Sequence, residues 1–509
     1  MTSTDNNKRI AKNTLLLYFR MMLIMLVSLY TVRVVLNSLG MVDYGIFNVV
    51  GGVVTMFAFL SNTMASASQR FFSFELGRNA TEQLKRTFSM TVTIYAILSV
   101  IILILAETIG LWFLNTHMNI PVKRMDAANW IYQFSILSFI VTIMTIPYDA
   151  SIISRENMKV YAYVSIIEVL LKLLIVYLLV FFSYDKLKLY GILIFGVTCI
   201  VTLIYRTVCV RKYKECRYSF YWEKDLFKTL ISYSSWNLFG AIAGVLSNTG
   251  VNILLNIFFG PVINAARGIA FQVNSSITQF VQNFMTATRP QIVKYYAMGE
   301  KEKMMKLIFQ SCKFSFFLVF ILSLPVLIET NFILTLWLKR IPEYVIIFTR
   351  LVIFTTLIDT FSSPLMTAAQ ATGKIKKYQS IVGGFRLLIL PIAYLFLYLG
   401  YPPQITMTIT LIMAFLSLFI RLFLLKEMIE FPIRKFISGV LSISLLVSIF
   451  AYIMPLIIFL AMPESVLRFI LVCLSSVIIS SGLIYFIAFT TTEKAVVKNA
   501  GLKLVSRFK

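Results

Sequence analysis

Apolar stretches of about twenty residues or more follow one another along almost the whole chain, which restricts the fold more than any other feature. In hydrocarbon every backbone amide and carbonyl must find a partner inside the protein, so a chain built this way spans the membrane as helices. The segments divide into about fourteen spans, at roughly 12–39, 43–70, 86–111, 127–152, 160–183, 188–210, 229–257, 261–288, 307–334, 344–370, 379–400, 404–426, 436–461 and 465–490. The gaps are short, the longest being 211–228, and leave no room for a soluble catalytic domain.

Cations collect in alternate gaps. Lys8, Arg9 and Lys12, then Arg70, Arg78, Lys85 and Arg86, then Arg155 and Lys159, then the cluster from Arg211 to Lys228 form one set. Arg289 to Lys306, Lys374 to Lys377, Lys426 to Lys435 and Lys494 to Lys509 continue it. The other gaps hold little beyond Lys123, Arg124, Lys186, Lys188, Lys339 and Arg340, so the positive-inside rule places both termini in the cytosol. A net charge of +25 would suggest nucleic acid as the partner of a soluble protein. Here 59% of residues are apolar and the charge sits beside spans, where it orients the chain against membrane lipids, so no nucleic-acid partner is expected. The first apolar stretch has no small-residue cleavage site and reads as a retained helix. Cys199, Cys209, Cys216, Cys312 and Cys473 lack metal-ligand spacing, so no disulfide, metal or cofactor is expected.

A faint repeat runs through the chain at an offset of about 220 residues. Leu36-Asn37 before Gly40 returns as Leu255-Asn256 before Gly260, and Gly45-Ile46 as Gly268-Ile269. Glu75-Leu76-Gly77 is echoed by Ala297-Met298-Gly299. The expected architecture is an all-α polytopic membrane protein: an N-lobe over 1–210, a basic cytosolic linker over 211–228, a C-lobe over 229–426, and residues 427–509 carrying two further spans and a basic tail. The six-helix lobes would be related by a parallel pseudo-two-fold axis along the membrane normal.

Polar residues recur at helical spacing on four spans. Span two carries Asn48, Gly52, Thr55, Asn62, Ser66 and Gln69, and span eight carries Arg267, Asn274, Thr278 and Gln282. Span seven adds Asn237, Gly244, Asn248, Asn252 and Asn256, and span one adds Asn13, Arg20, Ser28 and Thr31. Taken singly, such residues glue helices together. Four stripes on spans equivalent in pairs are better explained by a hydrated cavity between the lobes.

Charges within the spans sharpen this reading, since each costs free energy to insert. Glu168 and Lys172 are expected to neutralise one another, and Arg350, Arg421 and Arg468 to snorkel from near span ends. Arg33 has an ion pair with Asp43 or a ligand as its alternatives. Arg20 and Arg267 lie on polar stripes with no acid in the adjacent turn. Arginine outnumbers buried acid, so the cavity should be electropositive and suit phosphate or another anion. No nucleophile, metal or phosphate-loop motif suggests an enzyme, and His117 is expected to be a solvent-exposed bystander.

The stretch Arg33 to Gly52, RVVLNSLGMVDYGIFNVVGG, resembles the polysaccharide-export branch of the multidrug/oligosaccharidyl-lipid/polysaccharide (MOP) transporter superfamily. The likeness rests on Arg33, Leu39-Gly40 and Asp43-Tyr44-Gly45, with Gln69-Arg70 at the inner end of span two; length and span count also fit. The resemblance implies a flippase in a bacterial inner membrane. It would move undecaprenyl-pyrophosphate-linked oligosaccharide units to the periplasmic leaflet for O-antigen or capsule synthesis, alongside other polysaccharide-assembly proteins. A multidrug exporter of the same superfamily is the alternative. Candidate substrate-binding residues are Arg20, Arg33, Arg267, Asn48, Thr55, Asn62, Asn248, Asn252, Asn274, Thr278 and Gln282, with Arg70 on a cytosolic rim.

Overall fold

A computed structural model describes residues 3–55, 58–117, 120–182, 185–338, 341–490 and 493–494, and its regular structure is all helical. In chain order the long helices are α1 (Ser3–Thr55), α2 (Ala58–Gly77), α3 (Thr81–Leu105), α4 (Met125–Ser154), α5 (Met158–Phe181), α6 (Lys186–Lys212) and α7 (Lys224–Phe259). They continue as α8 (Pro261–Ala297), α9 (Lys301–Ile328), α10 (Val345–Ala371), α11 (Lys376–Tyr398), α12 (Ile405–Ile429), α13 (Ile433–Ala461) and α14 (Val466–Ala488).

Among the described residues, twelve helices are long and apolar enough to cross a membrane, against the fourteen spans expected. The stretches expected as spans two and eight are helical, in α1, α2 and α8, but are not among the twelve. The polar stripe of span eight is what lowers its hydropathy, whereas many side chains of span two lie outside the described residues. The break expected between spans one and two narrows to one residue: Gly40, at φ 79° and ψ 169°, interrupts α1 where a side chain would be strained.

The chain forms two compact units. The first holds Ile10–Leu238 and Val293–Gly299; the second holds the start of α1 to Arg9, Phe239–Ile292 and the described residues from Glu300 onward. The division falls inside α7, beyond the 211–228 linker. In the first unit α4 packs against α2, α3 and α6, around a core that includes Ile46, Leu114, Ile131, Tyr132 and Leu187. In the second, α10 packs on α9 and α12 around Val251, Leu255, Phe348, Val352, Ile389 and Met407.

The same punctuation recurs along the chain. Gly40 and Gly260 have φ of 79° and 77°, and Asn79 and Gly299 have φ of 55° and 74° just before α3 and α9 begin at Thr81 and Lys301. Asn79, rather than Gly77, is thus the conformational counterpart of Gly299, which moves the expected match by two residues. Pro147 in α4 and Pro364 in α10 lie seven residues before the helix ends at Ser154 and Ala371.

Ion pairs follow the expectation in one place and depart from it in others. Glu168 and Lys172 pair at 2.6 Å, as expected. Asp43 pairs with Arg124, a partner not expected: Arg124 Nε donates to Asp43 at 2.8 Å, and its Nη1 donates to Asp185 at 2.7 Å. The Arg33 side chain lies outside the described residues. Arg468 does not snorkel; it is buried and grips both oxygens of Glu329 at 2.7 and 2.8 Å. Arg421 is also buried and donates to the Tyr378 hydroxyl, while Arg350 donates to Thr330 Oγ1 at 3.2 Å. These partners come from other spans, which local spacing cannot reveal.

Candidate functional site

Gly260 closes α7 through a hydrogen bond from its amide to Asn256 O at 2.8 Å, and Pro261 opens α8, so the two helices of the second unit meet at a tight corner. Beyond that corner their polar stripes converge. Arg267 Nη2 donates to the main-chain oxygen of Asn248 at 3.1 Å and also to its side-chain oxygen. Arg267 Nη1 reaches Asn252 Oδ1 at 3.4 Å, and the guanidinium lies 4.3 Å over the ring of Phe271. Its Nε is buried with no hydrogen-bond partner among the described residues. Asn264 Nδ2 steadies the arrangement by donating to Asn252 O at 3.1 Å.

This arginine lines a cavity of about 380 Å³. Asn248, Asn274, Thr278 and Gln282 line it too, so the geometry brings together five of the six expected residues of this half, and the sixth, Asn252, braces Arg267 from behind. Val251, Val352, Ile389 and Met407 belong both to the lining and to the apolar core beneath it. Thr356 donates to Asn274 Oδ1 at 2.7 Å and fixes the amide's orientation.

Several lining residues were not among the expected ligands. Arg386 from α11 approaches Gly244, where a β-carbon would lie in ordinary contact, 3.6 Å from Nη1. Asp359 and Thr360 enter from α10. Span seven and span eight carry no acid, but Asp359 supplies one from elsewhere, leaving two guanidiniums against one carboxylate. Asp359 and Arg386 were readable as charges within spans; nothing in their local sequence says that they face α8.

The first unit places its expected residues differently. Arg20 lies 4.5 Å over the ring of Tyr161 and is hydrogen-bonded to that residue. Asp149 of α4 shares its electrostatic environment, so the acid missing from the adjacent turn arrives from another helix. Arg20 Nε and Asp149 Oδ1 are both buried without hydrogen-bond partners among the described residues. Asn62 is exposed. The side chains of Arg33, Asn48 and Thr55, like that of His117, lie outside the described residues. Arg70 sits on no open rim: it is buried among Phe71, Phe74 and Tyr233, with its guanidinium 4.7 to 5.5 Å from the three ring centres. No group of metal-binding side chains is found among the described residues.

No family model matches the chain, and no curated protein matches it in sequence. Solved structures do match in fold. An outward-facing multidrug-resistance MATE family transporter of the MOP superfamily aligns over 84% of this chain and 96% of its own, at 13% identity and a TM-score of 0.70. A Vibrio cholerae MATE transporter aligns over 84% and 99%, at 16% identity and a TM-score of 0.68. A MOP superfamily transporter from Pyrococcus furiosus, described as having a binding pocket of reversed polarity that suggests a different function, aligns over 84% and 96%, at 14% identity and a TM-score of 0.68. The chain is a multi-pass membrane protein with a MATE-like fold. These neighbours are described as transporters, and at 13–16% identity the likeness shows the fold alone; it lends no support to the polysaccharide-export branch suggested by residues 33–52.

Proposed function

We propose that the protein is an alternating-access membrane transporter whose second-unit cavity receives an amphiphilic anion. One observation carries this reading: Arg267 and Arg386 line the same cavity, with Asp359 as the only carboxylate among the described residues that line it. A guanidinium held by two asparagines and left with an unused Nε is prepared for phosphate-type oxygens, and the surrounding amides and hydroxyls suit a polyhydroxylated headgroup. The cavity has the size of a headgroup site, not of a whole lipid-linked oligosaccharide, so the diphosphate and first sugar would sit here and the polyprenyl tail would remain in lipid. The flippase cargo implied by the sequence resemblance, in a bacterial inner membrane with cytosolic termini, fits this chemistry.

Multidrug export is the second reading, and the comparisons favour it over the flippase because one neighbour is described as a multidrug-resistance transporter and none as a flippase among those reported. Asp359 is the group that a cationic drug would use. The deciding experiment deletes the gene and complements it with wild type, Arg267→Ala or Asp359→Asn, checking insertion of each. If the cargo is a lipid-linked oligosaccharide, Arg267→Ala loses surface polysaccharide and drug susceptibility does not change. Normal polysaccharide with Arg267→Ala, together with drug sensitivity from Asp359→Asn, overturns the anionic reading and establishes the drug exporter.

A further inference from the structure

Two of the five cysteines meet where α6 runs into the basic linker. Cys209 lies in the last turn of α6, and Cys216 ends the short 3-10 turn Lys214–Cys216. The thiols are neighbours, and both hang on α4 one turn apart: Cys209 Sγ donates to Tyr148 O at 3.3 Å, and Cys216 Sγ lies 3.1 Å from Ser151 Oγ. Neither is exposed, at 0% and 1%.

The surroundings hold the pair in register. Arg155 donates to Ser151 Oγ at 2.6 Å, pairs with Glu215 and stacks 4.2 Å over Tyr213. Asn157 donates to the Tyr213 hydroxyl at 3.0 Å, and the Tyr213 amide donates to Cys209 O at 2.8 Å. The Cys209 proton is committed to Tyr148 O, whereas the Cys216 sulfur has the Ser151 hydroxyl, itself held by the Arg155 guanidinium, beside it to stabilise a thiolate. Cys216 is therefore the better thiolate and Cys209 the resolving partner.

We propose that Cys209 and Cys216 form an oxidation site, a dithiol that closes to a disulfide and staples the start of the linker to the end of α6. The matching oxidant is hydrogen peroxide, small enough for a site with no exposed sulfur. The Cys216 thiolate attacks one peroxide oxygen, giving a sulfenic acid and releasing hydroxide. Cys209 then attacks the sulfenic sulfur; its proton and the departing hydroxyl leave as water. Two thiols are oxidised and one peroxide is reduced to two molecules of water. Spacing alone gave no reason to pair these cysteines, because the register depends on α4.

The test treats purified full-length protein with hydrogen peroxide, alkylates with N-ethylmaleimide and maps peptides by mass spectrometry. Expected is a linkage between the Cys209 and Cys216 peptides, reversed by dithiothreitol, with Cys199, Cys312 and Cys473 alkylated. In Cys209→Ser, Cys216 should stop at the sulfenic acid and be captured by dimedone. The wild-type map decides the matter even if that variant misfolds. Oxidation of Cys216 to sulfinic acid beside a free Cys209, a different pairing, or oxidation of Cys199 while both remain thiols would overturn the proposal.

Discussion

Arg267 reaches back across the α7–α8 corner and holds both oxygens of Asn248, main chain and side chain, so the amide and the cation form one unit on the cavity wall. Replacing Asn248 with Ala should leave Arg267 mobile and weaken binding of a polyprenyl diphosphate about tenfold, about 1.4 kcal/mol. Asn248→Asp should weaken it further, because the new carboxylate would occupy the guanidinium. Titration of detergent-purified variants with the lipid measures both; unchanged affinity in Asn248→Asp would remove Arg267 from the binding site.

Asp359 and Arg386 face the same cavity with opposite charge. Asp359→Asn should tighten diphosphate binding several-fold and Arg386→Gln should loosen it by a similar factor, in a manner that fades with added salt. Equal effects of the same sign would mean that neither charge meets the ligand.

Glu329 and Arg468 are 1% and 6% exposed and satisfy each other through two parallel hydrogen bonds. Removing one partner strands the other, so Glu329→Gln and Arg468→Met should each cost about 3–5 kcal/mol. The double variant should recover most of that loss. Thermal unfolding in detergent distinguishes this from a surface pair, for which single losses would fall below about 1 kcal/mol.

Asp185 caps α6, accepting from the amides of Leu187 and Lys188 at 3.1 and 3.3 Å, and pairs with Arg124. Burial works against its charged form, but the hydrogen bond from Arg124, reinforced by those amides, outweighs it and holds the carboxyl below its usual range. A depressed carboxylate contributes stability that is complete above its unfolded value near 4 and disappears as pH falls through the folded value. Melting temperature should therefore decline below about pH 4, and Asp185→Asn should lower it at pH 7 while flattening that decline. A variant as acid-sensitive as wild type would exclude Asp185 as the cause.

Gly40 and Gly260 have open space where a β-carbon would stand, yet both occupy the left-handed region. Alanine should cost about 1–2 kcal/mol at each through backbone strain alone. Gly268→Ala and Gly384→Ala, equally uncrowded but without positive φ, should be nearly neutral. Similar losses at all four positions would refute the conformational explanation.

Much of the molecule was legible before any coordinates. Apolar length dictated a helical membrane protein, because lipid offers the backbone no other partners. The repeat announced itself in Gly40 and Gly260, where local conformation demands glycine, and the α8 stripe marked Arg267, Asn274, Thr278 and Gln282 because helical period alone puts them on one face. Long-range partnership was hidden. That Asp359 and Arg386 complete the cavity, that Asp149 answers Arg20, that Arg70 is buried among aromatic rings and that Arg468 belongs to Glu329 depends on which helices pack together. A charge within an apolar span reveals that it needs compensation, but the compensating group is chosen by tertiary contact between residues far apart in the chain, and no local pattern encodes that choice.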